Sequence, residues 1–272
     1  MYFFKELESI LETKIPQEKF ARFEKFYAEF LKSSCVFEDD FTPKEFTKPS
    51  YEGFCHIVAP QNVPKRSNLT TKEGQINLLH AVAHIEYSAV DLALDAAYRF
   101  QGLPKEYYVD WLRVAEDEVR HFLMIETLLK ELGASYGDVA VHNALFEASQ
   151  KTAGNFVERM AVVPRYLEAN GLDATPMILK KLKKLPKNEM LEKIVHSLEI
   201  ILDEEVEHVR KGDVWFKYGC QKQGLKEDIY FEIIQKYYPR GFLRPNDLNI
   251  QARKEAGFSC SELKSMAKKD VC

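Results

Sequence analysis

Much of this sequence repeats apolar side chains every three to four positions, which is the pattern of amphipathic α-helices. The central part of the chain contains four such stretches, at about 71–100, 104–132, 141–170 and 188–218. Pro104 stands at a helix start and Gly133, Gly171 and Gly219 at helix ends, where these residue types are favoured. No segment of this region alternates with period two over the length of a strand. The pattern therefore predicts an all-α protein with four long helices.

The flanking regions differ from this central part. Residues 16–33 form an amphipathic helix with an aromatic face, and the proline-containing segment 34–70 reads as irregular. We expect a kink at Pro164 in the third long helix, a short basic helix at about 176–185, and a helix near 226–237. The predicted organisation is an N-terminal arm (1–70), a four-helix bundle (71–220) and a C-terminal helical extension (221–272).

Acidic residues interrupt the apolar stripes of the long helices. Glu86, Glu118 and Glu205 each lie among apolar residues on one helical face. A bare carboxylate in a core is strongly disfavoured, so each must be protonated, paired with a cation or bound to a metal. Few Lys or Arg share these faces, so metal binding is the favoured of the three alternatives.

Two Glu-x-x-His motifs, Glu118/His121 and Glu205/His208, place a carboxylate and an imidazole one helical turn apart. With Glu86 and Glu158 the order is Glu, Glu-x-x-His, Glu, Glu-x-x-His, an internal repeat of two helix pairs. We interpret these six residues as ligands of two metal ions inside a four-helix bundle. Glu158 is the least clear of them, because polar residues share its face, and buried salt bridges are the alternative for the whole set.

Other residues near the motifs have candidate supporting roles. Asp117 and Glu204 directly precede the motif glutamates, and either acid is expected to hydrogen-bond a ligand histidine or simply to lie at the helix surface. His84 is a possible additional ligand, although an ideal helix points it about 160° away from Glu86, which favours packing or hydrogen bonding. Trp111 is a possible electron relay, with core packing as its alternative.

The segment Asp117-Glu-Val-Arg-His121 resembles the motif of carboxylate-bridged di-iron proteins. The second copy has Glu207 where that motif has Arg. The chain is similar to a family of uncharacterised bacterial ferritin-like proteins in three segments, Leu79-His-Ala-Val-Ala-His-Ile-Glu86, Glu158-Arg-Met-Ala-Val-Val-Pro-Arg165 and Asn249-Ile-Gln-Ala-Arg-Lys-Glu-Ala-Gly-Phe-Ser259. This resemblance implies a ferritin-like fold and a metal site, and brings no established reaction.

Composition argues against several other classes, although nucleic acid is not excluded as a partner. A net charge of -4 and a pI near 6.0 give no general attraction to nucleic acid, and no apolar run reaches the roughly 20 residues of a membrane span. The five cysteines are scattered and never in Cys-x-x-Cys, which argues against a disulfide framework or a thiolate zinc site. With no apolar signal region at the start, we expect a cytoplasmic protein. We also expect a monomer or a homodimer.

Carboxylates with two imidazoles suit two iron ions, with manganese or a mixed Fe/Mn pair as alternatives. The expected function is that of a non-haem di-iron oxidoreductase, an oxidase or hydroxylase that uses O2 on a small organic or modified-nucleotide substrate. The alternatives are a ferroxidase that handles iron, for which gel filtration should reveal a large hollow multimer, and a non-catalytic metal-binding scaffold.

Overall fold

The computed structural model describes residues 1–242 and 248–272. Within these ranges every regular secondary-structure element is a helix. The helices are α1 (Phe3–Glu12), α2 (Pro16–Leu31), α3 (Lys72–Arg99), α4 (Lys105–Glu131), α5 (Ala144–Lys151), α6 (Phe156–Val162), a π-helical segment (Val163–Glu168), α7 (Ala169–Leu182), α8 (Glu189–Gln223), α9 (Ile229–Tyr237), α10 (Ile250–Glu255) and α11 (Cys260–Ala267). Short 3₁₀ turns lie at Ser50–Gly53 and Pro60–Asn62. The all-α prediction is confirmed for the described residues.

The chain divides into two compact units, Met1–Glu147 and Ala148–Cys272. The predicted bundle region 71–220 falls partly in each unit, so its boundaries and those of the arm remain predictions. Residues 243–247, inside the predicted C-terminal extension, lie outside the described residues.

In unit 1, α3 packs along α4, to which the short segment 100–104 connects it. Thr71 caps α3 by accepting a hydrogen bond from the Gly74 N–H at 3.1 Å, which satisfies one of the free donors of the first turn. The N-terminal segment packs on this pair. The buried Lys19 of α2 forms an ion pair with Asp91 of α3, and Ser50 Oγ donates to the same carboxylate at 2.6 Å.

In unit 2, α8 packs against α6, the π-helical segment and α7. Asn188 caps the start of α8, and Gly224 ends it in the left-handed conformation that glycine adopts without strain. The guanidinium of Arg165 is fully buried in this unit. It pairs with Asp213 of α8 at 2.7 Å and with Glu262 of α11 at 2.7 Å, so it ties three elements together.

Several features differ from the sequence-based expectation, among them helix α1, which was not predicted. The third long helix is broken at residues 152–155 and, instead of ending at Gly171, continues as α7 to Leu182, which absorbs the predicted basic helix. Cys260 and Cys272 form a disulfide, contrary to the expectation from the scattered cysteines. Within the described residues, no helix is both long and apolar enough to cross a membrane.

Candidate metal centre

Unit 1 brings three of the expected ligands together in the interior. Glu86 comes from α3, and Glu118 and His121 come from α4, one helical turn apart. His121 Nδ1 lies 3.1 Å from a Glu86 carboxylate oxygen and 3.6 Å from one of Glu118. The exposed fractions are 3% for Glu86 and zero for Glu118 and His121. The three residues form a buried Glu/His cluster whose ligand atoms lie within 4.8 Å of one another and could hold a metal ion.

The protonation of His121 reflects this cluster. Burial alone would lower its pKa, but hydrogen bonding to Glu118 and Glu86 and the negative charge of both carboxylates raise the pKa to about 11. A cation is therefore favoured at this position. A divalent metal would take the place of that proton, since an imidazole must be neutral to ligate.

Unit 2 contains the second Glu-x-x-His pair on α8. His208 is fully buried, and its Nδ1 lies 3.7 Å from a carboxylate oxygen of Glu205. The pair repeats the geometry of Glu118 and His121 on a single helix, as the spacing of the motif requires.

The structure does not bring Glu158 to this pair. Its carboxylate accepts hydrogen bonds from Lys236 Nζ at 2.6 Å and from the Tyr237 hydroxyl, both on α9. Burial would raise the pKa of Glu158, but these two bonds and the charge of Lys236 hold it below its usual range. The third helix breaks before Glu158, and Asn155 caps the new helix α6. Glu158 therefore lies in the first turn of a helix and not, as was expected, in mid-helix.

Contacts between α8 and the preceding helices fix their register. A side chain added at Gly219 would lie 2.9 Å from atoms of Phe156 and Val157, and one added at Gly212 would lie 2.6 Å from Pro164 Cγ. Moving back along α8 thus corresponds to moving forward along α6 and the π-helical segment. One further turn back from Gly212 is His208, and extrapolating the same register by four residues from Pro164 reaches Glu168.

Glu168 is an acid on this stretch of chain that the sequence analysis did not consider. One of its carboxylate oxygens is fully buried, whereas Glu158 lies ten positions earlier, about 15 Å along a helix. A signal was present in the spacing: Glu86 precedes Glu118 by 32 positions (118 − 86) and Glu168 precedes Glu205 by 37 (205 − 168), but Glu158 does so by 47 (205 − 158). Glu168 therefore fits the internal repeat better.

The remaining expected site residues lie outside the cluster of unit 1. Asp117 pairs with Arg120 at 2.8 Å on a partly exposed face, Glu204 is half-buried on α8, and Trp111 is buried in α4. His84 donates from Nε2 to the His142 carbonyl at 2.9 Å, so its Nδ1 accepts from the Tyr136 hydroxyl at 2.8 Å. Burial lowers the pKa of His84 to about 4, which keeps it neutral.

Comparisons with known proteins identify one relative and one family. No solved structure matches the chain. An uncharacterised protein of Haemophilus influenzae is 38% identical over 272 residues, which covers 96% of this chain and 92% of that protein. The model of a family described as "Protein of unknown function (DUF455)" matches residues 12–264. This chain therefore belongs to the DUF455 family.

Proposed function

We propose that this protein is a di-iron (or Fe/Mn) carboxylate protein that uses O2 to oxidise or hydroxylate a small organic or modified-nucleotide substrate. The observation that carries the proposal is the buried cluster of Glu86, Glu118 and His121. Two carboxylates and an imidazole withdrawn from water are costly unless a cation compensates them, and hard oxygen donors with imidazole suit iron and manganese.

The proposed centre has two halves of the same composition. Glu86, Glu118 and His121 would hold one metal ion, and Glu168, Glu205 and His208 would hold the other. In this proposal the helix pair α3/α4 and the pair formed by α8 with the π-helical segment would be the two halves of a ferritin-like four-helix bundle. The buried oxygen of Glu168 and the register extrapolated from Gly212 and Pro164 support this choice of the fourth carboxylate.

Each side chain has a role that follows from its surroundings. The carboxylates supply negative charge to two divalent ions, and His121 and His208 supply one neutral nitrogen each. The buried positions of Glu118 and both histidines keep bulk water away from the centre. Iron, when bound, supplies redox chemistry with dioxygen.

The proposal is tested by loading the protein with Fe(II) without oxygen and then adding aerobic buffer. We expect oxygen uptake and the absorption of oxidised iron in the wild type, and the loss of both in Glu118→Gln. Glu116→Gln removes an exposed acid of the same helix and should behave as the wild type. If the wild type takes up no oxygen and gains no absorption after iron binding, the proposed function is wrong.

A further inference from the structure

Unit 2 contains a surface cleft of about 810 Å³ that none of the expected metal ligands line. Its walls come from the π-helical segment, α7 and the turn after α9. The lining side chains used below are those of Tyr166, Asp173, Met177, Tyr238 and Arg240. A cleft of this size is in the range of small-molecule sites.

Two tyrosines give the cleft an aromatic wall. The rings of Tyr166 and Tyr238 lie 5.1 Å apart between centroids, at 39° to each other, and both are half-buried. The turn from Tyr238 to Gly241 is closed by the Gly241 N–H, which donates to the Tyr238 carbonyl at 2.8 Å, with Pro239 in the second position. A side chain at Gly241 would lie 2.6 Å from the Tyr166 hydroxyl oxygen, so glycine lets this turn approach the ring.

Among the described residues that line the cleft, the one carboxylate is paired and the one guanidinium is exposed. Asp173 is neutralised, because the guanidinium of Arg253 bonds its carboxylate at 2.6 Å and the Asn249 N–H donates to it at 2.8 Å. Arg240 lies in the third position of the turn with an exposed side chain, and among residues 1–242 and 248–272 no carboxylate pairs with it. An exposed guanidinium beside aromatic faces can bind an anion through two parallel hydrogen bonds.

We propose that this cleft binds a small molecule with a planar ring and one anionic group, an aryl phosphate or an aryl carboxylate. The ring stacks on Tyr238 and Tyr166, and the anion pairs with Arg240. Met177, which is 53% exposed at the cleft, supplies a flexible and polarisable contact that adapts to different rings. The site requires no metal, so a test of this binding does not depend on whether the proposed oxidation chemistry is correct.

Calorimetric titration of the metal-free full-length protein tests this site with three probes, phenyl phosphate, benzoate and inorganic phosphate. We expect at least one aryl anion to bind about tenfold more tightly than inorganic phosphate, since the ring adds stacking to the charge contact. Binding of phenyl phosphate alone would assign an aryl phosphate, and binding of benzoate alone an aryl carboxylate.

Variants locate the binding. Arg240→Gln should weaken the binding of the aryl anion by about tenfold or more. Tyr238→Leu should weaken the binding of the aryl anion and leave the affinity for inorganic phosphate unchanged. Lys226→Gln removes one exposed positive charge elsewhere in unit 2 and should change neither. The proposal is overturned if no aryl anion binds at millimolar concentration, if inorganic phosphate binds as tightly, or if Arg240→Gln binds as the wild type does.

Discussion

Glu158 and Glu168 are ten positions apart on one stretch of chain, yet their surroundings differ. Glu158 bonds two side chains of α9, whereas Glu168 has one buried carboxylate oxygen and falls opposite His208 when the register of α8 is extrapolated. The sequence offers both as acids near the third helix. Only the register against α8, set by Gly212 and Gly219, separates them.

This difference gives a direct prediction about metal affinity. Glu168→Gln should weaken Fe(II) or Mn(II) binding by more than about tenfold, because even residues that only support a ligand commonly contribute that much. Glu158→Gln, the matched control, should bind metal as the wild type does, since its carboxylate is engaged by Lys236 and Tyr237. Equilibrium titration under nitrogen measures both, and the reverse ranking would restore Glu158 as the ligand.

His121 links metal binding to pH. Its pKa of about 11 means that the metal-free protein carries a proton on this imidazole at neutral pH, and the proton must leave when the ring ligates. Metal affinity should therefore rise with pH, by about tenfold per unit for each proton released. Calorimetry in buffers of different ionisation enthalpy counts these protons. An affinity that stays constant between about pH 6.5 and 8.5 would contradict this assignment.

At the scale of helices, the spacing of apolar residues predicts the helix boundaries correctly where no capping residue or proline interrupts the helix. It located α3 and α4 within one residue at each end, and these helices position Glu86, Glu118 and His121. It failed in the third helix, because Asn155 caps a new start there and Pro164 lacks the N–H that an α-helix would use. The wider π-helical turn at Val163–Glu168 follows.

The ends of α7 and α8 were missed for a related reason. Gly171 and Gly219 were expected to end helices, but both lie inside them. Gly219 is required where Phe156 and Val157 pack closely, so its role is close approach and not termination. The sequence alone does not distinguish these two uses of glycine, since the difference depends on what packs against the position.

Gly212 tests the register between α8 and the π-helical segment. An alanine there would press on Pro164, and overpacking of this kind costs about 1–3 kcal/mol in the free energy of unfolding. Gly171→Ala is the matched control, because its added methyl group meets no atom within 4 Å and should stabilise the helix by roughly 0.5–1 kcal/mol. Urea denaturation measures both changes. Equal effects of the two substitutions would indicate that the close approach at Gly212 is absent.

At the scale of the whole molecule, composition limited the class of protein and the motifs supplied the chemistry. The all-α class, the N-terminal helix α2 and the buried cluster of unit 1 follow from patterns that are legible in the sequence. Helix α1 has the apolar spacing of an amphipathic helix at Phe3, Phe4, Leu7, Ile10 and Leu11, a legible pattern that the sequence analysis did not use. The Cys260–Cys272 disulfide and the cleft at Arg240 depend on the tertiary fold, which no local pattern encodes. The family comparison adds membership and no reaction.

The central claim is that two sets of carboxylates and imidazoles bind a pair of redox-active metal ions. Elemental analysis of protein purified without added metal tests it most directly, with Glu118→Gln and Glu116→Gln prepared in parallel. The account predicts about two iron or manganese ions per chain in the wild type and in Glu116→Gln, and a marked loss in Glu118→Gln. A wild-type protein that is folded yet contains neither metal, or equal metal content in all three proteins, would contradict it.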